Sequence, residues 1–155
     1  MALFKPLSQI YPHKGKKMTK NDIKYALRNS FGTEIASGFR VLQEHELARF
    51  NDESQFDFEG ESQILRKFYI FADTVAGDLW LASLKDGKVA LYDHDDGDLC
   101  ASNLVKFDLD MTGWLEIAQT FKKFETIDEP NAEQIAEFKR AVSAVCPQIL
   151  EIWDI

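Results

Sequence analysis

Between residues 65 and 107 short runs of aromatic and branched residues alternate with turns built on Gly or Asp. Leu65 to Ala72 reads as a strand, and Ala76-Gly77-Asp78 as a turn. Leu79 to Leu84 reads as a second strand. Asp86-Gly87 follows, a strong hairpin signal because both residues tolerate positive φ. Lys88 to Asp93 is a third strand, with Val89 and Leu91 on one face and Ala90 and Tyr92 on the other. Asp96-Gly97 turns the chain again, and Leu99 to Phe107 contains a fourth strand. Turns this short join antiparallel neighbours, so the middle of the chain is restricted to an antiparallel meander.

The flanks have a different period. Thr19 or Asn21 can cap a helix over 19–31, with Ile23, Ala26, Leu27 and Phe31 on one stripe and Gly32 as its stop. Gly38 to Leu42 is a short strand, and Gln43 to Asn51 a short helix burying Leu47 and Phe50. Asp108, Asp110 or Thr112 can cap a helix reaching Phe124, with Trp114, Ile117, Ala118, Phe121 and Phe124 as its apolar face. Asn131 with Gln134 forms a capping box for a last helix that Pro147 ends. Ile149 to Ile155 alternates as a strand would, or docks as an apolar tail. Helices segregated around a meander give an α+β fold: a central antiparallel sheet flanked by helices, with an added C-terminal helix. The reading is a single domain over 1–155, with 1–18 an irregular N-terminal arm and 131–155 a C-terminal helix and tail.

Composition removes several classes. The longest purely apolar run is Phe68 to Ala72, far short of the ~20 residues that cross a bilayer. The N-terminus lacks the order of a signal peptide, so a cytoplasmic location is expected. Cys100 and Cys146 form neither a disulfide framework nor a zinc motif, and reduced thiols are expected. No cofactor is called for. Net charge is −8, unevenly spread: residues 1–40 hold eight basic and two acidic residues, whereas 41–155 hold 10 basic and 24 acidic. An acidic body repels nucleic acid and attracts basic partners.

Three motifs invite chemistry. Residues 107–113 read FDLDMTG, similar to the DxDxT signature of haloacid-dehalogenase phosphotransferases, with Asp108 as nucleophile, Asp110 as general acid and magnesium between carboxylates. Only 42 residues follow, and they read as helices, so carboxylates capping a helix are the stronger reading. The same stretch half-fits a calcium loop, but its twelfth position is Gln119. Asp93 to Asp98 also looks metal-like, yet its glycine is one place early, and an acidic hairpin turn accounts for it.

What remains is a surface. Residues 44–61 carry Glu44, Glu46, Asp52, Glu53, Asp57, Glu59 and Glu61 against Arg49 alone. Asp93, Asp95, Asp96 and Asp98 crowd the turn after Tyr92, and Phe56 and Phe58 lie among the first group. Aromatic anchors among carboxylates suit a basic protein partner, because the anchors supply affinity and the charges steer association.

The run from Phe68 to Ser83, the segment Gly87 to Asp95 and the stretch Trp114 to Ile117 resemble the SUKH superfamily. Gly77-Asp78 matches its Gly-Asp turn, Gly87-Lys88-Val89 its hairpin, and Trp114-Leu115 its helix start. The likeness spans about residues 40–120. It departs at the front, where the leucine-proline opening is missing, and at the added helix 131–146. It implies a non-catalytic protein-binding domain. In bacteria that means an immunity protein that neutralises a cognate toxin, often a nuclease, by direct binding. The alternatives are a regulatory scaffold of the same fold, or a small magnesium-dependent phosphotransferase using Asp108 and Asp110.

Overall fold

The computed structural model describes residues 17–55 and 59–153. Its frame is a six-stranded antiparallel sheet in which every strand pairs with its sequence neighbours. The strands are β1 (Glu34–Ala36), β2 (Phe39–Val41), β3 (Phe68–Asp73), β4 (Leu79–Ser83), β5 (Val89–Tyr92) and β6 (Leu104–Lys106). The helices are α1 (Lys20–Ala26), α2 (Glu44–Phe50), α3 (Glu59–Lys67), α4 (Met111–Glu125), α5 (Ala132–Val145) and α6 (Gln148–Ile152). The α+β meander with helices around it and a helical C-terminus is therefore present.

Local chemistry sets the boundaries. Thr19 and Asp22 close a capping box on α1: the Thr19 hydroxyl accepts from the Asp22 N–H at 3.1 Å, and the Asp22 carboxylate accepts from the Thr19 N–H at 2.9 Å. This helix ends at Ala26 rather than Phe31, and turns carry the chain to Gly32. The Asn131–Gln134 box opens α5 as its spacing predicts. Ahead of it, Asp110 caps α4 by accepting from the Gly113 N–H at 2.8 Å.

Several expectations are corrected. β1 pairs with β2 across Gly38, whose φ is +88°, although Glu34–Ala36 carries no strand pattern of its own. Leu65, assigned above to a strand, ends up in α3, and β3 begins at Phe68. A short apolar run fits either period, and here Ile64 and Leu65 bury as helix residues. The fourth strand shrinks to Leu104–Lys106, because 3-10 turns at His94–Asp96 and Ala101–Asn103 take up the chain before it. Cys100 thus sits in a loop, half-buried, with its sulfur 3.2 Å from the Ser102 hydroxyl, rather than in a strand. Residues 149–153 form α6 and its cap instead of a strand. Of the expected arm, Met18 is buried and its N–H bonds the Leu84 carbonyl at 3.2 Å; residues 1–16 lie outside those described.

The sheet is covered on both faces at its centre, so β3 is buried at all six positions and Val89, Ala90 and Leu91 are buried in succession. One face carries an aromatic core. Phe39 stacks on Trp80 at 5.5 Å and meets Trp114 at 5.5 Å. Trp153, just after α6, stacks on Phe39 and Trp80 at 5.6 and 5.7 Å, so the C-terminal segment docks onto the core. The Trp80 indole N–H donates to the Gly38 carbonyl at 2.8 Å, which fixes the β1–β2 turn over the same cluster. Both cysteines are free thiols, with Cys146 buried.

Candidate functional site

Register decides which acidic residues meet. Asp73 pairs with Leu79, Leu79 with Tyr92, and Tyr92 with Leu104. The end of β3, the start of β4, the end of β5 and the start of β6 therefore share one rim of the sheet. Asp73 and Asp78 flank one turn there, and Asp93 to Asp98 form the next.

The second turn is held from within. The Asp93 carboxylate accepts from the Asp95 N–H at 2.9 Å and caps a 3-10 turn. The Tyr92 hydroxyl donates to the Gly97 carbonyl at 2.6 Å. The Asp78 carboxylate accepts from the His94 N–H at 3.2 Å and lies 2.7 Å from His94 Nδ1. That contact, with Asp95 and Asp93 nearby, holds the His94 imidazolium above its usual pKa. Gly77 is needed beside it: its φ is +111°, and a Cβ there would lie 3.2 Å from His94 Nδ1. Asp78, Asp93 and His94 each present a ligand atom within 4.8 Å of the others, and among the described residues this group could hold a metal ion. Asp95, Asp96 and Asp98 stay exposed, with the Asp95 side chain 83% accessible.

The first turn carries the strain. Val75 adopts φ +69°, a left-handed conformation that a β-branched residue rarely takes. Its N–H bonds the Asp73 carboxylate at 3.1 Å, and the residue is 61% exposed.

Arg40 links this rim to α2. Its guanidinium holds Asp73 through Nε at 2.9 Å and Glu46 through two contacts of 3.1 and 3.2 Å. The Arg40 bonds, then the Gln43 N–H, hold the Glu46 carboxyl below the usual carboxylate range. Those same carboxylates push the Arg40 pKa up. Glu46 thus spends both oxygens inside the molecule, while Glu44 is exposed on the same helix. Beyond α2 the acidic segment leaves the rim. Asn51 bonds the Ile70 N–H and carbonyl in mid-strand, and Glu53 faces Arg66, ahead of β3, at 3.9 Å. Asp52, itself exposed, accepts from the Ser54 N–H and hydroxyl. Phe56, Asp57 and Phe58 lie outside the described residues. Glu59 opens α3.

The 93–98 turn and Tyr92 stand out in the sequence as site residues, whereas Arg40, Asp73, Asp78, Val75 and His94 do not. The signal was present for Asp73 and Asp78, which bracket a glycine turn between two apolar runs. Nothing local marks Arg40, whose partners are six and 33 residues away. Of the phosphotransferase-like pair, Asp110 serves as the α4 cap, and Asp108 is 88% exposed beside Lys88 at 3.3 Å. The pair follows the antiparallel edge strand β6.

No protein-family model, curated protein or solved structure matches the chain. No described helix is long and apolar enough to cross a membrane.

Proposed function

We propose that the chain is a protein-binding domain that docks a basic partner on this acidic rim, and that the partner is a toxin which the chain neutralises. The observation that carries the reading is Val75: a strained, exposed apolar side chain on a turn bracketed by Asp73 and Asp78, on the rim that also holds the 93–98 turn. Strain of this kind costs about 1–3 kcal/mol and persists where the surroundings enforce it. An apolar anchor beside carboxylates is also what recognition of a basic surface needs. The resemblance to SUKH immunity proteins supports the toxin as partner, and a nuclease, whose substrate site is cationic, fits the charge. The function is stoichiometric binding rather than turnover.

The test is rescue. The toxin domain encoded beside this gene is expressed with and without the protein, growth is scored, and the complex is isolated. A one-to-one complex that restores growth is expected. Asp95→Lys with Asp96→Lys should slow association about tenfold, with the gap closing at high salt. Val75→Asp should shorten the lifetime of the complex. Growth arrest unrelieved by the protein overturns the toxin reading. A complex indifferent to all three substitutions moves the interface off this rim.

A further inference from the structure

At the opposite end of the sheet the charge reverses. The start of β3, the β4–β5 hairpin and the end of β6 meet there around a cavity of about 700 Å³. Six cationic residues line it, Lys17, Arg66, Lys67, Lys85, Lys88 and Lys106, against a single carboxylate, Asp86. Asp86 is already engaged, accepting from the Lys88 N–H at 3.0 Å. Arg66 faces Glu53 and Lys88 faces Asp108. Among the described residues, Lys17, Lys67, Lys85 and Lys106 have no carboxylate in ion-pair reach. The rest of the lining is largely apolar: Phe68, Leu84, Val89, Ala90 and Phe107.

Each half of this lining excludes a class of occupant. A neutral apolar molecule would leave the crowded cations uncompensated, and like charges held together repel. A bare inorganic anion would leave the apolar floor unused. A nucleic acid strand would meet the acidic remainder of a chain of net charge −8. A volume of this size suits a small organic molecule. We infer that the cavity binds a small amphipathic anion, its carboxylate, phosphate or sulfonate head among Lys85, Lys88 and Lys106 and its apolar body against Phe68, Leu84 and Phe107. The inference does not rest on the partner proposed for the acidic rim.

The probe is 1-anilinonaphthalene-8-sulfonate, an apolar body with one sulfonate, compared with its neutral analogue N-phenyl-1-naphthylamine. Saturable binding of the sulfonate to the full-length protein at one site is expected, tighter than that of the neutral dye. Lys85→Glu with Lys106→Glu should weaken the sulfonate about tenfold and leave the neutral dye unchanged. Lys122→Glu with Lys123→Glu, exposed on α4, should change neither. Unaltered thermal midpoints keep misfolding out of the comparison, since loosened proteins also bind this dye. Displacement by dodecanoate shows that the site takes a fatty carboxylate, and displacement by AMP that it takes a phosphate ester. Equal affinity for the two dyes, equal loss from the α4 reversal, or displacement by neither competitor overturns the inference.

Discussion

Arg40 shows how much of this molecule hangs on one guanidinium. Asp73 is only 8% exposed, and a buried carboxylate without a partner is costly. Arg40 compensates it and uses its remaining donors on Glu46, so the end of β3, the middle of β2 and the first turn of α2 share one charge centre. Replacing Arg40 by Met would strand Asp73 and should cost about 3 kcal/mol. Glu46 gives the same contact a pH signature. Its folded pKa is depressed, so its contribution is present above the unfolded carboxylate value and is lost as pH falls through the folded one. Glu46→Gln should therefore lower stability at neutral pH, by about 1 kcal/mol because the pair is partly screened by solvent. Urea unfolding of both proteins from about pH 7 down to pH 3 reads this directly. The gap between their midpoints should narrow below about pH 4. A gap that is constant across the range would mean that Glu46 stabilises α2 only as a neutral cap would.

Elements were legible in the sequence where one period ran unbroken between two punctuation marks. α4 has a stripe from Trp114 to Phe121 and an acidic cap. α5 has its capping box, and β4 and β5 are joined by Asp86-Gly87. The failures are segments whose conformation is decided elsewhere in the molecule. Glu34–Ala36 becomes a strand because β2 lies beside it. Residues 148–152 become a helix because the aromatic core captures Ile149 and Trp153, which overrides their alternation. The site divided in the same way: the 93–98 turn was visible as a charge run, while its His94–Asp78 brace and the Arg40 centre depend on strand register. Gly113 has a role that its sequence context does not show. In the sequence it completes a DxDxTG motif; in the fold it lets α4 approach its neighbours. A Cβ there would lie 2.6 Å from Leu109 Cδ1 and 3.1 Å from Val145 Cγ1. Glycine inside a helix ordinarily costs about 1 kcal/mol relative to alanine, so Gly113→Ala should stabilise an unconstrained helix. Here overpacking reverses the sign, and Gly113→Val should destabilise by about 2–3 kcal/mol. Thermal unfolding of the two variants checks this. A stabilised Gly113→Ala would show that Leu109 and Val145 yield freely.

At the scale of the molecule, the meander sorts charge by parity. Turns after β3 and β5 fall on one rim and carry carboxylates; the turn after β4 and the start of β3 fall on the other and carry lysines. One strand length separates them, and a five-residue strand spans roughly 17 Å. That distance exceeds the Debye length of about 8 Å at physiological salt and is less than the roughly 30 Å at 0.01 M. The two ends should therefore act independently in one condition and feel each other in the other. The carboxylate rim lowers the potential over the whole protein, so it opposes an anion entering the lysine-lined cavity. Asp95→Lys with Asp96→Lys changes the charge by +4 without touching that cavity. At about 0.15 M salt this variant should bind the sulfonate dye as the unmodified protein does, and at about 0.01 M it should bind more tightly, by roughly threefold. Titrations at the two salt concentrations measure the difference. Tighter binding at both would mean that the rim reaches the cavity through a change of conformation. No change at either would mean that the intervening sheet and solvent screen the two ends completely, and each surface could then be altered without regard to the other.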